Sequence, residues 1–375
     1  MRIGFDLNPL TSHRSGAGTY CFYLLKNLLK LYPDNELCGF SSGSGSVDLG
    51  GLVAQVRHRR LNVPTRVLYG FWQAFGRPDL DRILGGLDVY HATNYLLPPT
   101  QRAVRVLMVH DLAYFARPEY CDPALARPFS RKIKKLAREA EGLLTSSAST
   151  KHDVVRYLDV DPARITVAPL AVDEDLCPML PEAAQMQLSQ RFGLSGPFIL
   201  FVGAIGSRKN PANLVRAFGA LAKDIPHKLV LVGERAYGAG ETFEAVAELG
   251  LEGRVVELGY LPDYLQLRAF YSAAEVFVFP TRYEGFGLPV LEAMACGCAV
   301  ITSANSSMRE VAGEAALYAD PESVEELAAA IRRVLEDPAT RENLEVLGQD
   351  RAKMFSWEDC ARATYGLYQQ CLAMI

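Results

Sequence analysis

Apolar positions along the chain alternate between two rhythms. Short apolar runs rich in β-branched and aromatic residues read as strands at 2–7, 88–92, 104–109, 143–147 and 165–170. Between them lie stretches with helical spacing, such as 20–31, whose leucines fall at positions 24, 25, 28, 29 and 31. After a connection at 171–197, with a helix expected at 181–192, the rhythm restarts. Strands are expected at 198–203, 229–233, 255–258, 276–279, 299–302 and 317–318, and helices at 322–335 and 356–372. Strands alternating with helices predict an α/β protein whose parallel sheets are doubly wound. Two such domains are expected, 1–175 and 190–354.

The most informative stretch runs from Val276 to Gly297. The run Val276–Phe279 suits a buried strand. Pro289 suits the first helical position and Gly297 a left-handed stop after the helix. The unit therefore reads as strand, glycine-containing loop and short helix. The backbone N–H groups of Gly285, Phe286, Gly287 and Leu288 then sit at a helix N-terminus beyond a strand, where anions bind. Glu284 and Glu292 flank this place with seven residues between them. They are too far apart for a close acid pair and suit two clamps on one elongated ligand, each accepting from hydroxyls. A nucleoside diphosphate sugar has that shape. The plainer alternative has Glu292 complementing the helix dipole and Glu284 as a solvated loop residue.

Three further places lie beyond expected strand ends, where α/β sheets bind ligands. Gly16 and Gly18 form a glycine-rich turn between the first strand and first helix, allowing close approach of backbone to ligand or simply a tight turn. His110, followed by Asp111, ends the strand at 104–109 and is the histidine best placed for chemistry; a structural histidine is the alternative. Arg208 and Lys209 precede Asn210, expected as N-cap, and Pro211 at the first helical position. Two cations there suit a diphosphate, the arginine by bidentate contact and the lysine as a point charge.

The segment EGFGLPVLEAMACG, with its two glutamates, resembles the signature of retaining glycosyltransferases of family 4, which have the GT-B fold. The resemblance covers essentially the whole chain and is most specific at 284–292 and 206–210. It implies two Rossmann-like domains facing across a cleft. The second would bind the nucleotide-sugar donor and the first the acceptor, with a final helix, 355–375, crossing back to the first domain. It further implies that Glu292 holds the ribose hydroxyls and that Glu284 lies against the donor sugar near the reacting carbon. His110 would face the donor sugar, and the Gly16–Gly18 loop would lie near the donor phosphates and acceptor. Arg208 and Lys209 match the family's cation pair, and residues 233–234 and 259–261 would border the base. The expected catalytic set is Glu284, His110, Arg208 and Lys209. The expected activity is hexosyl transfer to an acceptor hydroxyl with retention, mannose from GDP-mannose being the best guess on family frequency alone.

Composition narrows the remaining classes. The chain has 375 residues, 49% hydrophobic and 22% charged, as expected of a globular protein with room for two cores. No apolar run approaches the roughly 18 residues of a spanning helix, and no signal peptide is expected ahead of the first strand. The eight cysteines show no zinc-type spacing and suit buried thiols in a cytoplasmic protein. No metal site is expected, because the cations and loop N–H groups do a metal's work. The Asp79–Asp81 and Asp159–Asp161 pairs read as incidental, and no cofactor beyond the donor substrate is expected. Net charge is −4, yet residues 1–173 carry 22 Lys and Arg against 16 Asp and Glu. That basic first half suits a glycan or lipid-linked glycan acceptor and peripheral contact with an anionic membrane, with no role for nucleic acid. Arg57–Arg60 and the aromatics of 67–75 are the candidates for such contact, or else the aromatics pack into the core beneath solvated arginines. A catalytically inactive carbohydrate-binding scaffold, a nucleotide-sugar epimerase and a phosphorylase are the alternatives. The presence of all four charged site residues disfavours the scaffold, the two-glutamate pattern disfavours the epimerase, and no dedicated motif supports the phosphorylase.

Overall fold

A computed structural model of the chain describes residues 1–11, 15–261 and 263–374; Ser12, His13, Arg14, Pro262 and Ile375, the end of the expected crossing segment, lie outside the described residues. Contacts divide the chain into two compact units, Met1–Leu112 with Arg127–Leu170 and Ser356–Ile375, and Ala113–Ala126 with Ala171–Phe355.

The first unit is built on seven parallel strands. These are β1 (Arg2–Asp6), β2 (Glu36–Ser42), β3 (Val56–Leu61), β4 (Val89–Ala92), β5 (Val104–Val109), β6 (Gly142–Thr145) and β7 (Ile165–Val167). Their order is β3-β2-β1-β4-β5-β6-β7. Strand order turns back at β1, so the ligand crevice of this sheet opens beyond the carboxyl ends of β1 and β4. The apolar rhythm misses β2 and β3. Strand β2 is interrupted by Gly39, where a Cβ would come within 2.1 Å of Leu7 Cδ1, and its last residues, Ser41 and Ser42, read as loop. Strand β3 is an edge strand whose Arg57, His58, Arg59 and Arg60 are exposed, the charged edge that discourages further pairing.

The helix Trp357–Leu372 starts on Ser356, whose hydroxyl accepts from the Asp359 N–H at 3.0 Å. It packs along the helix Gly16–Leu31 through stacked Tyr23–Trp357 and Tyr32–Tyr365 rings, 5.3 and 3.7 Å apart. Its Cys371 and Leu367 close on Gly142, where a Cβ would lie 2.7 Å from Cys371 Sγ. In the helix Thr65–Phe75 the apolar residues divide: Leu68 and Trp72 are buried, while Val67, Phe71 and Phe75 face solvent.

The second unit holds β8 (Phe198–Val202), β9 (Lys228–Val232), β10 (Val255–Gly259), β11 (Val276–Phe279), β12 (Val300–Thr302) and β13 (Leu317–Tyr318). Their order is β10-β9-β8-β11-β12-β13, again parallel. Strands β8 and β11 are buried along their whole length, as continuous apolar runs require when helices cover both faces. Each buried phenylalanine there contributes about 1.5–3 kcal/mol by leaving water. Strand order turns back at β8, placing the loops after β8 and β11 together at this sheet's switch point. Segment 113–126, expected with the first domain, belongs by its contacts to the second unit. Ala113 and Cys121 pack around Tyr283, and Arg282 lies over the Tyr120 ring at 4.3 Å.

Candidate active site

The loops after β8 and β11 carry the cations and glutamates singled out from the sequence. Gly203 and Gly233, ending β8 and β9, have φ of 148° and 146°, and a Cβ on Gly233 would lie 2.0 Å from the Gly203 carbonyl oxygen. Only glycine allows the two strand ends to meet so closely. The first loop is then laced to the second strand's exit, with Ile205 N–H donating to Glu234 O at 2.8 Å and Ser207 N–H to Tyr237 O at 3.0 Å. Asn210 occupies the N-cap position of the helix Pro211–Leu221, in a left-handed conformation with φ of 58°. Its side chain does not cap. It donates instead to Pro321 O, as does Asn213 at 2.9 Å, fastening the loop across the unit.

This lacing delivers Arg208 and Lys209 to one acceptor. Lys209 Nζ, Arg208 Nη1 and Thr281 Oγ1 reach Glu284 Oε1 at 2.6, 3.0 and 3.1 Å. Arg208 also donates to Tyr283 O at 2.8 Å, and Lys209 Nζ stands 4.7 Å from the centroid of the Phe279 ring. Glu284 is 7% exposed, so the solvated-loop alternative is excluded. Burial pushes its carboxyl up, but Lys209 and Arg208 outweigh that and hold it below the usual glutamate range. The pair of cations is therefore already assembled around a buried anion.

The loop after β12 supports the same place. Ser306 Oγ accepts from the Glu284 N–H at 2.9 Å, and Ser307 Oγ lies 3.0 and 2.9 Å from the carbonyl oxygens of Glu284 and Phe286. Arg282 grips Glu322 in a bidentate pair at 2.6 and 2.9 Å and also donates to Ser207 O. Gly287, at φ 100°, precedes the helix Leu288–Ala295, so Pro289 is the second helical residue rather than the first. A Cβ on Gly287 would lie 2.2 Å from Met308 Cε. The backbone from Gly285 to Leu288 thus leads into that helix with no side-chain cap on its first turn.

Glu292 points elsewhere on the same helix and is 4% exposed. Tyr264 donates to its Oε1 at 2.7 Å and Tyr271 to its Oε2 at 2.8 Å. Burial raises its carboxyl, opposed by the two phenol hydrogen bonds. A buried carboxylate with both oxygens oriented by phenols is more than a partner for the helix dipole. Tyr264, Tyr271, Ser306 and Ser307 were not singled out from the sequence. The serines lie just beyond a strand end, which was a usable signal. Tyr271 looks like any core aromatic in a helix, and Tyr264 like any turn residue.

In the first unit, His110 follows β5. Its Nε2 lies 2.8 Å from Thr93 O; a carbonyl only accepts, so Nε2 carries the proton and Nδ1 is left as an acceptor. Burial holds the imidazole below its usual value, keeping it neutral. Edge-on rings of Tyr20 and Tyr95 flank it, with centroids at 5.5 and 6.1 Å. Tyr95 has φ of 53°, and its hydroxyl accepts from the His110 N–H at 3.2 Å. Gly16 and Gly18 were expected in a turn. They lie instead in the first turn of the helix Gly16–Leu31, which begins earlier than its leucine spacing suggests. Gly16 is exposed with nothing within 4 Å of a Cβ position. The structure thus gathers Arg208, Lys209, Glu284, the 285–288 loop and Glu292 in the second unit, and places His110, Gly16 and Gly18 in the first. Among the described residues no three His, Cys, Asp or Glu side chains are grouped as metal ligands.

Comparison with known proteins bears on this geometry. Residues 14–176 match the model of Glycosyltransferase Family 4 and residues 187–351 that of Glycosyl transferases group 1. The O-antigen chain mannosyltransferase B of Escherichia coli is 32% identical over 98% of this chain and 100% of its own. The MMP α-(1→4)-mannosyltransferase of Mycolicibacterium hassiacum is 31% identical over 66% of this chain and 58% of its own. The sucrose-phosphate synthase of Thermosynechococcus elongatus, a solved structure, shares the fold over 100% of both chains, with a TM-score of 0.82 at 24% identity. Two doubly wound parallel-sheet units, a buried glutamate holding two cations at a switch point, and end-to-end similarity to such a relative lead to one assignment: the chain belongs to the GT-B glycosyltransferases of family 4, and it is a hexosyltransferase.

Proposed function

We propose that the protein transfers mannose from GDP-mannose to a hydroxyl of a lipid-linked glycan, with retention at the anomeric carbon and without a divalent metal. The observation that carries this reading is the convergence of Arg208 and Lys209 on buried Glu284 at the switch point of the second sheet. The two mannosyltransferase relatives support the choice of sugar, and the O-antigen relative supports a glycan acceptor.

When the bond from C1 to the diphosphate breaks, its electron pair goes to the leaving oxygen. Arg208, Lys209 and the N–H groups of the 285–288 loop stabilise that charge as it develops. The acceptor oxygen bonds C1 on the face the diphosphate leaves, and its proton passes to a departing phosphate oxygen. Glu284, ionised, holds the sugar and stabilises positive charge building on its ring. Glu292 holds the ribose hydroxyls. His110, neutral with Nδ1 as acceptor, receives a sugar hydroxyl. For Gly16 and Gly18, in a helix's first turn, the proposed role is contact with the donor. No cofactor is required beyond the donor substrate, and the protein acts in the cytoplasm at the inner face of the membrane.

A thermal-shift panel of GDP-mannose, UDP-glucose and ADP-glucose, each with and without EDTA, tests the donor. A ligand at about 100 times its Kd adds about 2.7 kcal/mol to stability. Stabilisation by GDP-mannose alone, unchanged by EDTA, is the expected result. A shift confined to another nucleotide, or abolished by EDTA, refutes the donor or the metal independence respectively. An inverted product by NMR refutes retention.

A further inference from the structure

We propose that Arg282 is a positioning residue for the donor diphosphate: it fixes where Arg208 and Lys209 stand, and Tyr120, from the segment 113–126, fixes Arg282 in turn. This role deepens the proposed function and rests on its reading of Arg208 and Lys209 as the cations of the leaving group.

Arg282 ties together the two loops that build the site. Its backbone N–H donates to Arg208 O at 2.9 Å, and its Nη1 donates to Ser207 O at 2.6 Å. Thr281 Oγ1 adds a contact to Arg208 O at 3.3 Å. These carbonyls belong to the peptides that join Ser207 to Arg208 and Arg208 to Lys209, so the grip sets the stems of both cations. It sets them against the loop that carries Glu284, their shared acceptor.

The rest of the guanidinium is held just as firmly. Nε and Nη2 meet Glu322 Oε1 and Oε2 at 2.6 and 2.9 Å, the fork geometry of arginine with carboxylate. Pro321, which precedes Glu322, accepts from Asn210 and Asn213, so the carboxylate is itself anchored beside the cation loop. Tyr120 covers the guanidinium face, with Cζ 4.3 Å from its ring centroid, and its hydroxyl lies 3.4 Å from Glu322 Oε1. Exposed ion pairs hold side chains weakly, but the Arg282 side chain is only 11% exposed. Lysine keeps the charge there without the planar fork, so it cannot serve Glu322, Ser207 O and the Tyr120 ring at once. Small displacements matter, since about 1 Å of misplacement can cost about hundredfold in an oriented reaction. A residue that merely held the fold would change how much protein is folded, and would leave the folded protein's discrimination between ligands with and without a diphosphate intact.

GDP, and guanosine as a probe lacking the diphosphate, are titrated into wild type, Arg208→Ala, Arg282→Lys, Glu322→Gln, Tyr120→Leu and the Tyr120→Leu, Arg282→Lys double variant. Arg282→Lys and Glu322→Gln are expected to weaken GDP binding about tenfold at full stoichiometry, the worth of one charged hydrogen bond, while guanosine binds as to wild type. Tyr120→Leu should weaken GDP binding less, and should add nothing in the Arg282→Lys background, because its effect passes through Arg282. Reduced stoichiometry with an unchanged Kd, or an equal loss for guanosine, makes Arg282 a fold-holding residue and overturns the proposal. Tighter GDP binding by Glu322→Gln, which frees the guanidinium, makes Arg282 a direct phosphate ligand and also overturns it. Additive losses in the double variant remove Tyr120 from the arrangement. Unchanged GDP binding by Arg208→Ala refutes the diphosphate assignment of the proposed function and this role with it. Weakened binding by Arg208→Ala beside wild-type binding by Arg282→Lys refutes this role alone. A wild type that takes UDP or ADP in place of GDP refutes the proposed donor alone, and the same variants are then read on that nucleotide and its nucleoside.

Discussion

Replacing Glu284 by glutamine should tighten binding of free GDP while crippling transfer. In the unliganded protein Glu284 Oε1 holds Lys209 Nζ at 2.6 Å and Arg208 Nη1 at 3.0 Å. On the proposed reading, a phosphate must share those nitrogens with a carboxylate that its two cations keep ionised against the cost of burial. An oxygen gripping them at ordinary hydrogen-bond length stands roughly 5 Å from Oε1. At an effective dielectric constant of about 20, two unit charges at that separation repel by about 3 kcal/mol. Glutamine removes the repulsion and retains an acceptor for the cations, so part of this figure appears as affinity. A gain of about 1.4–2.8 kcal/mol corresponds to roughly tenfold to hundredfold in Kd. Isothermal titration of GDP into both proteins at low salt measures it. Transfer should fall by orders of magnitude, because on the proposed mechanism the charge that stabilises the sugar is lost. Unchanged or weaker GDP binding by a folded Glu284→Gln protein would refute the assignment of Arg208 and Lys209 to the diphosphate.

Other outcomes follow from the same geometry. Tyr264→Phe removes a charge-assisted hydrogen bond to Glu292, worth about 1.5–3 kcal/mol. Its carboxyl rises further, so the donor KM should begin climbing at a higher pH than in wild type as pH falls, with kcat little changed; an unaltered KM–pH profile counts against Tyr264 as a positioning residue. Gly233→Ala puts a Cβ 2.0 Å from the Gly203 carbonyl at φ 146° and should cost about 3 kcal/mol or more, read as a lowered urea midpoint. Asp6 is fully buried, and desolvation raises its carboxyl to about 7 from 3.8. A raised acid stabilises the fold below the unfolded value and loses that contribution as pH rises through the folded one. Stability should therefore fall between about pH 4 and 7 by up to about 4 kcal/mol. Asp6→Asn should flatten that decline, and equal slopes in urea titrations of the two proteins would refute it.

Local chemistry along the chain determined the repeating strands and helices and the unit at Val276–Gly297, because a buried parallel strand must be apolar along its length and a helix start must spare its N–H groups. It also marked Arg208, Lys209, Glu284 and Glu292, since ionisable residues beyond strand ends stand out against apolar runs. Only the tertiary structure decided their partners. That Glu284 is the shared acceptor of both cations depends on the lacing of the loops after β8 and β9, and on a strand order that sets β8 beside β11 across more than seventy residues of chain. The phenols on Glu292 come from a turn and a helix, Tyr264 at 28 and Tyr271 at 21 positions' remove, with no periodic signal to link them. Strands β2 and β3 escaped the pattern because one packs glycine against a leucine and the other is a charged edge. The exposure of Phe71 and Phe75 beside buried Trp72 was likewise undecided by spacing: an apolar side chain is drawn inward only where the neighbouring layer leaves room, and that layer is set by the assembled sheet.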